Sequence, residues 1–319
     1  NATANRSLNA SELISFGVNR LILAGLSAAT PRLVSSDRLI TANALSVTGG
    51  TIAIVLGGGV GVGLRKIFNL FGDSDQADSL LVLVAAIGYL IAALLALRVK
   101  KDEFGPEPHV TAPAWYEGFN EMRQGFRYLS ERTTSFLAIL VVAIQRGGLT
   151  ALTLMALILE RNTFNNSSNP DAGLGGFAVA LVLSGLGITM GAIITPPATR
   201  YIDRFTWSRS AMVAAAVMPV VFALTLNEIT LILMGFLTGM AGQAVKVTND
   251  AIVQQSTSDI YRGRVFAVYD VVVNAAIVSG ALLCAAFLPT SGLSRSVPFG
   301  IALVYLFAAL ILMNKRIFK

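Results

Sequence analysis

Nine stretches of the chain are almost wholly apolar, at residues 12–31, 42–64, 79–97, 135–159, 174–196, 210–226, 229–245, 265–288 and 297–313. Most approach the roughly 17–25 residues that an α-helix needs to cross a bilayer. Strict apolar/polar alternation is absent, so a β-barrel does not fit. The pattern predicts an all-α, polytopic membrane helix bundle with nine spans. Only Asn227 and Glu228 separate the sixth stretch from the seventh, which predicts a tight helical hairpin.

The segment between the third and fourth stretches differs. It opens on Lys100-Lys101-Asp102-Glu103 and passes Pro106, Pro108 and Pro113. Trp115, Phe119, Met122, Phe126 and Leu129 then recur at i+3 and i+4 spacing among charged residues. That is an amphipathic helix, expected at the membrane surface or against the bundle. The chain therefore divides into a three-span block (1–99), a linker (100–134) and a six-span block (135–319).

Composition agrees. Of 319 residues 54% are hydrophobic and 13% charged, against about 25% charged in a soluble domain. One cysteine, Cys284, and one histidine, His109, exclude an intrachain disulfide, a Cys-rich cluster and a multi-His site. No metal, cofactor or nucleic-acid partner is expected, and no P-loop or hydrolase elbow occurs.

The +6 net charge is distributed unevenly. With nine spans, Arg6, Arg65, Lys66, Arg161 and Arg295 fall on one side. Arg38, Arg98, Arg123, Arg132, Arg200, Arg204, Arg262, Arg264 and Lys315 are among those on the other. The positive-inside rule makes the second side cytoplasmic. The reading is a multi-pass protein of the plasma membrane, its N-terminus outside and its C-terminus inside. The first residue is Asn1, which raises the expectation of a processed, truncated or partial chain.

Charges inside spans are expensive and mark functional sites by default. Arg20 and Arg146 are such charges, with Gln145 beside the latter; each reads either as a cavity-lining cation or as a packed structural arginine. Lys246 and Asp250 stand four apart on one helix face. With Asp270 and Arg264 they are expected near the cytoplasmic mouth, as a switchable ion pair or a structural brace. Asp203 and Arg204 lie in a cytoplasmic loop, where a carboxylate at a helix N-terminus is favoured. Gly57, Gly59, Gly61 and Gly63 form a run inside an apolar helix, so close helix packing explains them better than phosphate binding. Gly185, Gly187 and Gly191, before Pro196-Pro197, make the fifth stretch bendable. Asn166-Ser167-Ser168 matches a glycosylation site formally.

The hinge Ser35-Ser36-Asp37-Arg38 after the first stretch matches Thr257-Ser258-Asp259 after the seventh, a weak internal repeat of the kind found in secondary transporters. Together with Asn19-Arg20, the run Leu23–Ala29 before Pro31, and Asp259-Ile260-Tyr261-Arg262-Gly263-Arg264-Val265-Phe266, it resembles the major facilitator superfamily. The similarity is to its bacterial drug-efflux-like branch. Asp203, Arg204 and Arg209 resemble that family's cytoplasmic signature, with Thr199 in place of its glycine. The glycine run resembles its glycine-rich fifth helix without the accompanying proline.

The resemblance implies that the nine spans are helices four to twelve of a twelve-helix fold. It also implies alternating access, with Arg20, Arg146 and Gln145 on a substrate or proton pathway. Asp203, Arg204, Lys246, Asp250, Asp270 and Arg264 would form a cytoplasmic gate, with Asp203 near Thr41 to Asn43. The expected activity is proton-coupled efflux of a small hydrophobic or weakly cationic molecule by a monomer in a lipid bilayer. The rival is a non-transporting receptor or scaffold module of the same fold.

Overall fold

The computed structural model describes residues 38–68, 74–98, 118–165 and 170–312, with single positions before and between them. The first predicted span, residues 99–117 and the extreme C-terminus lie outside the described residues. So do Arg20, His109, the Ser36-Asp37 hinge and the Asn166-Ser167-Ser168 match.

Among the described residues all regular structure is helical: α1 (Leu39–Phe68), α2 (Ser74–Ala96), α3 (Gly118–Ser130), α4 (Thr133–Leu159), α5 (Pro170–Tyr201), α6 (Arg204–Thr225), α7 (Glu228–Ser256), α8 (Asp259–Phe287) and α9 (Ser296–Ile311). Six helices are long and apolar enough to cross a membrane, and α9 is a shorter apolar helix. The chain forms two compact units, Ser46–Ala112 and the remainder, the latter including the first residues of α1.

In the smaller unit, α2 is exposed along almost its whole apolar length, with Leu83, Leu90 and Leu94 all more than half accessible. A helix that is apolar all round is suited to lipid or to other helices rather than to water. Gly57, Gly61 and Gly63 have open space where a side chain would stand. Gly59 belongs to α1, and its surroundings lie outside the description.

The larger unit holds the six helices α4–α9 and the core. α7 packs against α4, α5 and α6, α8 against α4, and α9 against α6 and α4. Small residues set these distances. A Cβ on Gly280 of α8 would collide with the backbone carbonyl of Gly147 on α4, so the two backbones touch. Gly187 and Gly191 of α5 lie in the same way on the carbonyls of Phe236 and Met240 of α7. Gly187 and Gly191 of the fifth stretch are thus close-packing positions. α5 also continues through Pro196 and Pro197 to Tyr201. Thr195 and Thr199 hydroxyls bond carbonyls one turn back, at 2.6 and 3.0 Å, and Ser/Thr bonding of this kind accompanies prolines tolerated in membrane helices.

The hairpin is as tight as the sequence implies. α6 ends at Thr225, Leu226 takes the left-handed conformation (φ 50°), and Asn227 caps α7 by accepting from the Thr230 amide at 2.9 Å. α4 passes into a π-helical turn, Glu160–Phe164. There the buried Glu160 carboxylate accepts from Asn165 Nδ2 at 2.9 Å through Oε2. Glu160 was not singled out in the sequence.

The amphipathic helix α3 packs against α8. Tyr128 and Leu129 are buried and Met122 packs beside them, while Phe126 is 54% exposed. The buried face is thus rotated from the predicted aromatic stripe towards Tyr128. The Tyr128 ring stacks on Tyr261 of α8 at 4.4 Å, the Arg132 guanidinium sits 3.7 Å over Tyr128, and the Tyr128 hydroxyl accepts from the Ser258 amide at 3.0 Å. Arg264 donates to Glu121 at 2.8 Å and to Gln124 at 3.0 Å.

Candidate functional site

Most of the six-helix unit is apolar, and α7 carries a stripe of polar side chains within it. α7 carries Gln243, Lys246, Asp250 and Gln254 at intervals of three, four and four residues, which keeps them on one side. Gln243, Asp250 and Gln254 are buried. The stripe runs from mid-helix to the end of α7 that leads into α8.

Its mid-helix end meets α4. Arg146 is the fourteenth residue of the 27-residue α4, about 20 Å from the helix start at 1.5 Å per residue. Its Nη2 donates to Gln243 Oε1 at 2.9 Å. Gln145 is fully buried, and both atoms of its amide lack a hydrogen-bond partner, as does Gln243 Nε2. Burying such a group unsatisfied costs about 1–3 kcal/mol, so a polar ligand atom or water would be stabilised at each of these atoms. Gly242 makes room for the Gln145 amide, because a Cβ there would overlap it. Tyr305 of α9, also fully buried, donates to the Gln145 carbonyl at 3.0 Å.

Further along α7, Lys246 Nζ pairs with Asp250 Oδ2. The other carboxylate oxygen accepts from the Tyr269 hydroxyl of α8. Asp250 is thus held from two helices, with a charge-assisted bond on each oxygen. The sequence reading placed Asp270 in this cluster; the residue that bonds Asp250 is its neighbour, Tyr269. Asp270 follows one position on, and its carbonyl accepts from Asn274 at 2.7 Å. Asn249, buried beside this stripe, donates to Ser208 of α6 at 2.7 Å.

At the far end of the stripe, Gln254 and Asn43 of α1 exchange amide bonds at 2.9 and 3.4 Å. The start of α1, Thr41 to Asn43, was expected to meet Asp203; here Asn43 meets Gln254 in a neutral amide pair. Asp203 instead caps α6, accepting from the amides of Phe205 and Thr206 at 3.1 and 3.2 Å. Arg204 donates to Gln255. Arg264 belongs to the α3 contact described above and not to the Lys246–Asp250 pair.

Arg146, Gln145, Lys246 and Asp250 are therefore brought to one face, whereas Asp203, Arg204 and Arg264 are distributed around the α7–α8 end. Gln243, Tyr269, Tyr305 and Gln254 were missed. Gln243 and Gln254 were detectable, since each is in register with Lys246 or Asp250. The tyrosines were not, because an aromatic residue in an apolar span reads as core. No cluster of three or more His, Cys, Asp or Glu side chains able to hold a metal occurs among the described residues.

No protein-family model matches the chain. Two proteins are similar to it, each described as an uncharacterized MFS-type transporter, one from Mycobacterium bovis and one from Mycobacterium tuberculosis. Each is 29% identical over 283 residues, covering 88% of this chain and 63% of the relative. The chain is thus similar to proteins described as MFS-type transporters. It spans 63% of the length of the curated relatives it matches. In a largely apolar helix bundle a mid-span Arg–Gln pair and a two-helix carboxylate clamp stand out, because polarity is costly in lipid. They are the natural focus for the function of this multi-pass membrane protein.

Proposed function

We propose that the chain carries out secondary transport by alternating access, in which helix bundles rock around a site near the bilayer midplane. The observation that carries this is the group of three partnerless amide atoms on Gln145 and Gln243 beside Arg146, in the middle of an otherwise apolar bundle. A structural brace would be expected to satisfy its own polar atoms.

The cargo we favour is a small, largely apolar molecule, neutral or weakly cationic, exported in exchange for protons. Lys246 is neutralised by Asp250 and Arg146 is bonded to Gln243, so no unpaired carboxylate on this face calls for a strongly cationic cargo. The scarcity of polar side chains disfavours a sugar, whose hydroxyls need many partners. In this reading all nine apolar stretches span the plasma membrane, the α7–α8 end faces the cytoplasm and the protein works as a monomer. The Lys246–Asp250–Tyr269 group then lies between the midplane and the cytoplasm, where protonation of Asp250 would release Lys246.

Reconstitution of the full-length protein into proteoliposomes tests the proposal. Proton-gradient-dependent flux of hydrophobic amines or neutral aromatics is expected, with loss of flux in Arg146→Ala and in Gln145→Ala/Gln243→Ala. Absence of gradient-dependent flux across such a panel would favour a non-transporting module.

A further inference from the structure

The π-helical turn after α4 carries a carboxylate that the site described above does not use. Glu160 stands about 20 Å along the helix from Arg146 at 1.5 Å per residue, and it is fully buried. Its Oε2 accepts from Asn165 Nδ2 at 2.9 Å, while Oε1 is buried with no hydrogen-bond partner. Among the described residues no Lys or Arg forms an ion pair with it. π-Turns occur frequently at functional sites. This one turns a charged side chain inward close to solvent, since the next residues, Arg161 and Asn162, are exposed.

The first turns of α5 form the cover. A Cβ on Gly176 would overlap Glu160 Oε2, and one on Gly173 would stand 2.9 Å from the Arg161 Cα, so the α5 backbone lies directly on the turn. The turn itself is tied elsewhere. Asn162 Nδ2 donates to the Thr290 carbonyl at 2.6 Å, and the Thr163 hydroxyl to the Ser291 carbonyl at 2.5 Å. Gly292, at φ 80°, brings the same α8–α9 loop onto the Leu159 amide. The start of α5 is therefore the element whose departure would open the carboxylate to water.

A carboxylate taken out of water without a cation is strongly disfavoured, whereas the neutral acid carries no charge to desolvate. The two oxygens are already differentiated for the neutral form. Oε2 receives the Asn165 amide, and Oε1, which receives no donor, is the atom left for a proton. The surrounding charges do not offset the carboxylate. Glu228, at the start of α7, adds negative charge. Arg161, on the turn itself, points to solvent, and Thr290 and Ser291 of the α8–α9 loop are neutral. Asp171 of α5 is a further acid by sequence, its side chain outside the described residues. We propose that Glu160 is a proton-binding site, taking a proton from water onto Oε1 as α5 closes over it and returning it to water as α5 lifts. The proposal rests on the burial of Glu160 and not on the transport reading of Arg146 and Asp250, so the two can fail separately.

An infrared pH titration of the full-length protein in detergent tests it, paired with hydrogen exchange over residues 173–180. The parent should show a protonated-carboxyl stretching band that Glu160→Gln lacks and that Glu228→Gln and Asp171→Asn retain. As rising pH removes that band, exchange over 173–180 should become severalfold faster in the parent than in Glu160→Gln at the same pH. If the Gln variant does not accumulate, Glu160→Met removes the titrating group and should behave alike. A band unchanged in whichever Glu160 variant accumulates overturns the proposal. So does exchange over 173–180 that responds to pH no more in the parent than in that variant.

Discussion

The Gln145 side chain lies directly against the bare Cα of Gly242, buried and with neither amide atom bonded, one residue from the arginine that reaches Gln243. The contact joins the middle of α4 to the middle of α7. It exists only because α7 has no side chain at that point.

Two glycine substitutions should therefore behave differently. Gly242→Ala meets the movable end of a glutamine, whereas Gly280→Ala meets the backbone carbonyl of Gly147. Gly280→Ala is expected to lower the unfolding temperature in detergent more, as overpacking at a point that cannot give costs about 1–3 kcal/mol. Gly242→Ala should keep most of the stability and lose transport, and Gln145→Ala in that background should recover whatever stability was lost. Equal destabilisation by both would remove the distinction.

Asp250 should depend on both of its partners. Tyr269→Phe deletes a hydrogen bond to a charged group, worth about 1.5–3 kcal/mol, without changing shape. Asp250→Asn should be milder than Asp250→Ala, since the amide can still accept from Tyr269. Thermal unfolding of the three variants checks the order. A Tyr269→Phe protein as stable as the parent would mean that the hydroxyl bond contributes nothing.

The Asn43–Gln254 amide pair is expected to separate during a transport cycle. With Cys284→Ala to remove the single native thiol, Asn43→Cys/Gln254→Cys should form a disulfide in the arrangement described here. The yield should fall when a proton gradient or substrate is applied. A yield unaffected by either would identify the contact as a static brace between α1 and α7.

Asp203 caps α6 in this structure, so Asp203→Ala should cost about 1 kcal/mol of stability and Asp203→Asn much less. If Asp203 also met Thr41 in another state, Asp203→Cys/Thr41→Cys would crosslink only under conditions that open the Asn43–Gln254 pair. Crosslinking in no state would leave capping as its role.

Tyr128 ties α3 to the α7–α8 turn through its stack on Tyr261 and its bond from the Ser258 amide. Tyr128→Ala should raise hydrogen exchange across Gly118–Ser130 selectively. Exchange unchanged there would show that the Arg264–Glu121 and Arg264–Gln124 contacts hold α3 alone.

The sequence by itself determined that the chain is a helical membrane protein. A bilayer demands long apolar segments with internally satisfied backbones, and that demand is written residue by residue. It also determined the α6–α7 hairpin and the Lys246–Asp250 pair, since these follow from spacing along the chain. The tertiary structure decided the partners. Tyr269 joins the Lys246–Asp250 pair, Gln254 rather than Asp203 meets Asn43, and Tyr128 rather than Phe126 turns inward from α3. Each choice depends on the rotation of one helix against another, which in lipid is set by close backbone approaches such as Gly147–Gly280. Hydropathy cannot encode such rotations, because every face of a membrane helix is apolar enough to be buried or exposed.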